Sequence, residues 1–227
     1  MNTVERSATR AAILARLRAA HPGRPVVTPD VAAYYANRTP PAGESRTERF
    51  KRNALGWRAE IIEAPPAGWP QALAGVLDGK QSRRVLCGAH GPLADTLRGL
   101  LPARRLMAYD RPLADVKAEL FGHVDAGVTT TLAAVAETGS LLLWPTPDEP
   151  RTLSLIPPLH IAVLFESTIR ETLFDVVREQ RWADGLPSNA VMITGPSKTA
   201  DIQRLLVYGA HGPKELVIVL VRDGAAA

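Results

Sequence analysis

The chain has 227 residues, 46% of them apolar and 22% charged, ordinary values for a globular protein that can bury roughly 70% of its unfolded surface. The formal charge is +4, and the arginines at 6, 10, 16, 18, 46, 49 and 52 sit among acidic residues on helix-like segments. Without aromatic interleaving they point to no nucleic-acid partner. The single cysteine, Cys87, excludes an internal disulfide and a cysteine-ligated iron–sulfur cluster held by this chain alone.

From the N-terminus, the pattern predicts a helix over residues 3–20. Val4, Ala8, Ala11, Leu14 and Ala15 give it a loose apolar stripe, and His21-Pro22-Gly23 stops it. Charged residues open the chain with no apolar stretch behind them, unlike a signal peptide, and no run of about 18 apolar residues follows. A cytoplasmic protein with no membrane span is expected. Residues 24–43 are proline-rich and irregular apart from a short helix around 31–36, and 44–57 predicts a further helix. Residues 1–57 thus group as an N-terminal helical extension. Their composition suits a lid or a dimerisation arm and leaves a homodimer open.

A second domain, 58–224, has a different rhythm. Strands at 58–62, 84–87 and 105–109 alternate with helices at 70–77, 92–100 and 113–120. That alternation predicts an open α/β architecture, a mostly parallel sheet with helices on both faces. The segment VDAGVTTTLAAVAETGSLLLW then predicts a strand, a brief helical turn at 130–133, and strands near 134–136 and 140–144. Residues 160–165 read as a buried strand, Ser167 as the cap of a helix over 169–181, 190–194 as a strand and 216–221 as the last central strand.

The main chemical candidate is the loop after residues 190–194, Thr194-Gly195-Pro196-Ser197-Lys198-Thr199-Ala200-Asp201. Hydroxyls and a lysine cluster there just before a predicted short helix, whose free backbone N–H groups can hold a small anionic ligand. Ser197 or Thr199 serves equally well as a plain helix cap. The spacing matches neither a Walker A loop nor GxGxxG. Glu137, in Glu137-Thr138-Gly139, is a candidate base or nucleophile at a strand end and equally a solvated turn residue. His211-Gly212-Pro213 precedes the last strand as a further candidate or a simple turn. The five histidines show no metal-ligand spacing.

AETGS at 136–140, RTLSLIPPLHIAVL at 151–164, ITGPSKTADIQ at 193–203 and GAHGPKELVIVLV at 209–221 resemble, in order and spacing, the lactate-utilization (LUD) domain, in particular the lactate utilization protein C group. The resemblance implies a NagB/RpiA/CoA-transferase-like fold with ligands at strand ends. It implies an accessory role in oxidising L-lactate to pyruvate beside iron–sulfur partner proteins. No cofactor belongs to this chain, and clusters are expected only in those partners. Thr138, Gly139, Arg151, Thr194, Gly195, Pro196, Ser197, Lys198, Thr199, Asp201, His211 and Gly212 fall on the family's segments as ligand-binding candidates. Ser154 and His160 fall on the same segments, with His160 read as a strand-buried residue bonded to backbone. Lys198 stands where arginine is more usual, which loses bidentate geometry. Glu137 is the catalytic candidate, through its likeness to the E-x-G turn of CoA-transferases. Loop 194–201, Glu137, Arg151 and His211 are expected to share one strand-end cleft. The alternatives are a stand-alone enzyme on a sugar-phosphate or CoA-ester substrate and a non-catalytic assembly module.

Overall fold

A computed structural model describes residues 3–20, 28–38, 42–186, 188–200 and 206–224. It contains two compact units, Met1–Thr39 and Pro40–Ala227. The first holds α1 (Thr3–Ala20) and α2 (Val31–Ala36). Asp30 caps α2 by accepting a 2.9 Å hydrogen bond from the Ala33 amide. The expected stop at His21–Gly23 lies outside the described residues.

The second unit opens with α3 (Arg46–Gly56), started by a capping box between Ser45 and Glu48. Then come β1 (Glu60–Ala64), α4 (Trp69–Gly79), β2 (Val85–Gly88), α5 (Pro92–Leu100), β3 (Leu106–Tyr109), α6 (Leu113–His123) and β4 (Ala126–Thr130). The remaining elements are β5 (Ala133–Val135), β6 (Ser140–Leu143), α7 (Thr152–Leu155), β7 (Leu159–Phe165), β8 (Ile169–Arg170), α8 (Leu173–Glu179), β9 (Val191–Ile193), β10 (Lys198–Ala200), β11 (Leu206–Tyr208) and β12 (Glu215–Val221).

Six strands form one sheet in the order β1-β12-β7-β4-β2-β3, and every pairing in it is parallel. The innermost strands, LHIAVLF and ELVIVLV, are almost continuously apolar because both faces are covered. Ile161, Val163, Val217 and Val219 meet Leu73, Leu77, Leu93 and Leu97 of α4 and α5 on one face. On the other, Ala162, Leu164, Ile218 and Leu220 meet Phe50 and Ala54 of α3 and a second sheet, represented by Ala134 and Leu141. This second sheet runs β8-β5-β6-β9. The α/β fold with an open parallel sheet is therefore the one the strand–helix alternation predicts.

Three local expectations change. First, α3 is part of the second unit and not of a separate extension. Its Phe50 and Ala54 are wholly buried in the core. Second, residues 130–133 form no helical turn. The Thr131 hydroxyl donates to the Val163 carbonyl at 3.0 Å and the Leu132 amide to the Leu142 carbonyl at 2.8 Å, and a bend at Leu132 carries the chain from β4 into β5. Third, Ser167 caps no helix, because its amide and hydroxyl donate to Asp223 at 2.9 and 2.6 Å. Ile169–Arg170 pairs with β5, and the shorter α8 starts at a capping box of Thr172 and Asp175.

Truncating Phe50 to alanine should cost about 3–5 kcal/mol of stability in urea unfolding, the range for a large aromatic removed from a packed core. A loss below about 1 kcal/mol, typical of surface positions, would show that α3 is a peripheral arm.

Candidate functional site

The family segments fold into three separate places. The Glu137-Thr138-Gly139 turn follows β5 and lies against the end of α3. Asn53 Nδ2 donates to the Ala136 and Glu137 carbonyls at 2.8 and 3.0 Å, and Trp57 Nε1 to the Thr138 carbonyl at 3.1 Å. Gly139 has φ +68°, and a Cβ there would overlap the Ala54 amide. The Thr138 hydroxyl donates to Ser140 Oγ at 2.8 Å, which is 2.6 Å from Thr194 Oγ1. Gly195, at φ +80°, abuts the Trp57 carbonyl in the same way. The E-T-G turn and the start of the T-G-P-S loop thus meet at one joint, closed by hydroxyls and by the end of α3.

The rest of that loop belongs elsewhere. No helix begins at Lys198; the backbone enters β10, which pairs antiparallel with β11. The helix-terminus argument for an anion site therefore fails within the described residues, and Asp201 lies outside them. The Ser197 amide already donates to the Pro213 carbonyl at 2.9 Å, and Thr199 Oγ1 is 3.1 Å from His211 Nδ1. Pro196 lines a cavity of about 320 Å³ with Arg58, Glu60, Tyr208, Lys214 and Glu215, at the amino ends of β1 and β12. His211 and Gly212 also precede β12. This cluster sits at the opposite strand ends from those where open α/β sheets bind ligands.

Arg151 occupies the third place, a cavity of about 370 Å³ at the carboxyl end of β4. None of Glu137, Thr194–Thr199 or His211 lines it, so among the described residues this cavity does not unite the groups expected from sequence to share one cleft. The chain builds this cavity from close backbone approaches. At Gly127 on β4 the space of a Cβ is taken by the Leu153 carbonyl, so α7 lies directly on the strand. At Gly88, on the end of β2, the Asp148 carbonyl takes that space and accepts from the Ala89 amide at 3.2 Å. The segment between β6 and β7 is thereby pressed onto the strand ends. Arg151 stands just before α7, whose Ser154 donates to the Arg151 carbonyl at 3.0 Å.

The cavity floor is the run Thr129-Thr130-Thr131, and its apolar wall includes Leu132, Leu143 and Trp144. Trp144 packs edge-on against Trp182, with centroids 5.7 Å apart. Glu149 is pinned: its Oε2 accepts from the Thr130 amide at 3.1 Å and hydroxyl at 2.7 Å. Glu149 in turn donates its amide to Thr146 Oγ1 at 3.0 Å. Arg151 is exposed and makes no ion pair or side-chain hydrogen bond among the described residues. Behind the floor, Thr129 Oγ1 is 2.9 Å from His160 Nε2. Burial pushes the His160 imidazole down to about 3 and also raises the thiol of Cys87, buried near the end of β2. Thr129, Thr130, Thr131, Thr146 and Glu149 were not singled out from sequence. The available signal was three consecutive threonines where a predicted strand ends.

Residues 101–221 match the LUD domain family. An uncharacterized protein of Neisseria meningitidis serogroup B is 36% identical over 218 residues, 92% of this chain and 91% of that one. Lactate utilization protein C of Bacillus licheniformis is 34% identical over 123 residues, 52% of this chain and 51% of that one. Its namesake in Bacillus subtilis is 38% identical over 105 residues, 44% of each chain. The matches to these two namesakes thus span about half of their length or less. Among solved structures, a DUF162 family protein from Deinococcus radiodurans superposes with a TM-score of 0.58 at 28% identity, over 79% of this chain and 99% of that one.

The buried imidazole has a measurable consequence. The unfolded chain protonates His160 below about pH 6.5, whereas the folded chain resists until about pH 3. Stability is therefore untouched by this group above pH 6.5 and falls as pH drops through that window. From pH 7 to pH 5 the loss should be about 2 kcal/mol in urea unfolding, and His160→Gln should remove most of it. Identical pH slopes in the two proteins would contradict the buried, neutral state.

Proposed function

Because the chain belongs to the LUD domain family, we propose that it serves lactate utilization as an accessory component of L-lactate oxidation to pyruvate, holding a small carboxylate in the Arg151 cavity. The relatives named lactate utilization protein C support the pathway. The observation that carries the ligand is an Arg151 guanidinium that has no partner among the described residues and lines one cavity with threonines. Its planar fork matches a carboxylate bidentately. A cavity of about 370 Å³ suits a small molecule, near the lower end of ligand-pocket sizes.

Oxidation of L-lactate to pyruvate releases two electrons and two protons. One buried cysteine cannot ligate an iron–sulfur cluster, so in this reading partner iron–sulfur proteins carry the electrons. Glu137 lies outside the Arg151 cavity, so this reading gives it no part in holding the carboxylate.

Deleting the gene in a native host that has no other lactate dehydrogenase should abolish growth on L-lactate as sole carbon source. The wild-type gene should restore it, and Arg151→Gln, accumulating to the same level, should not. Normal growth of the deletion strain would sink the pathway assignment. Full complementation by Arg151→Gln would sink the ligand site.

A further inference from the structure

Thr129 and His160 are 3% and 1% exposed and hydrogen-bonded to each other, and Thr129 lines the Arg151 cavity. The other ring nitrogen, Nδ1, is buried without a hydrogen-bond partner. A neutral imidazole carries one N–H. Placed on Nδ1, that proton would be an orphaned buried donor, which folded proteins rarely tolerate. Placed on Nε2, which is also the tautomer free histidine prefers, it is donated to Thr129 Oγ1. The Thr129 oxygen then acts as acceptor, and its own hydroxyl proton has no other partner among the described residues.

Thr146 is in the same state, since its oxygen accepts from the Glu149 amide. The other two threonines that line the cavity differ: Thr130 donates to Glu149 and Thr131 to the Val163 carbonyl. Among the described residues the cavity therefore offers a guanidinium and two hydroxyl protons, beside the Gln180 amide. A guanidinium held bidentately takes both oxygens of a carboxylate, which leaves the hydroxyls for a further acceptor close by.

We infer that His160 is a positioning residue that turns the Thr129 hydroxyl into a donor facing the cavity, and that the cavity selects a monocarboxylate bearing an oxygen on C2. The carboxylate sits on Arg151, and the C2 oxygen accepts from Thr129, with Thr146 as second donor. This deepens the proposed function and rests on its placing the ligand at Arg151.

Nitrogen-15 NMR of histidine-labelled protein reads the tautomer directly. His160 should be protonated on Nε2 and bare on Nδ1; a proton on Nδ1 overturns the inference. Calorimetric titration with L-lactate and with pyruvate then tests the donor. Thr129→Val and His160→Leu should each weaken binding by about three- to tenfold, the value of a hydrogen bond to a neutral oxygen. Thr129→Ser keeps the hydroxyl, and His160→Gln keeps an N–H at the Nε2 position, so both should bind nearly as the wild type does. Binding of either probe supports the class, whereas acetate binding equally well would remove the C2 oxygen from it. If Arg151→Gln abolishes binding and Thr129→Val does not, the positioning role falls while the proposed function stands. If wild-type protein binds neither probe, both fall.

Discussion

Gly127 carries no side chain, and the Leu153 carbonyl fills the space that a Cβ would occupy. That contact lets a four-residue helix, α7, lie on the backbone of a central strand. Pro157 presses on the same glycine, and the chain turns at once into β7, which pairs with β4. Arg151 is thereby held over the carboxyl end of β4, above the threonine run. Any side chain at position 127 would lift α7 and take Arg151 with it. The site thus depends on a backbone-to-backbone approach more than on any one polar contact.

The parallel sheet supplies the rigid floor for this arrangement. Its two inner strands are buried on both faces, so the strand ends are fixed by packing on α4 and α5 and on α3 with the second sheet. Buried polar groups in this apolar environment find polar partners. Thr129 bonds His160 on the floor, and Thr47 donates to the buried Glu166 at 2.8 Å, which also accepts from Arg222 at 2.9 Å. A second pair of glycines, Gly139 and Gly195, joins the outer sheet to α3. Two of the family segments are therefore joints, where glycine is needed for positive φ and close approach, while the Arg151 segment forms the cavity wall.

The fold was legible in the sequence because strands and helices differ in apolar period and alternate regularly through residue 123. Where the period is short, tertiary pairing decides. Ile169 and Arg170 have helix-compatible neighbours yet add to β5, and Lys198–Ala200 follows a hydroxyl that mimics a helix cap yet pairs antiparallel with β11. Arg151 was legible through the family segment that contains it. Thr129 and Thr146 were not, since a threonine in a strand usually reflects β-propensity. Their meaning comes from hydrogen-bond polarity, which depends on partners 31 and 3 residues away. Glu137 and the 194–199 loop drew attention as reactive residue types; in three dimensions the Glu137 turn sits at a joint against α3, and the loop leads into a strand that pairs antiparallel with β11.

The central claim is a location, the carboxyl end of β4. A crystal structure of the protein soaked with pyruvate tests it most directly. The account predicts ligand density against the Arg151 guanidinium and the Thr129 hydroxyl. Density instead against Ser197, Lys198 and His211, with the Arg151 cavity holding only water, would contradict it.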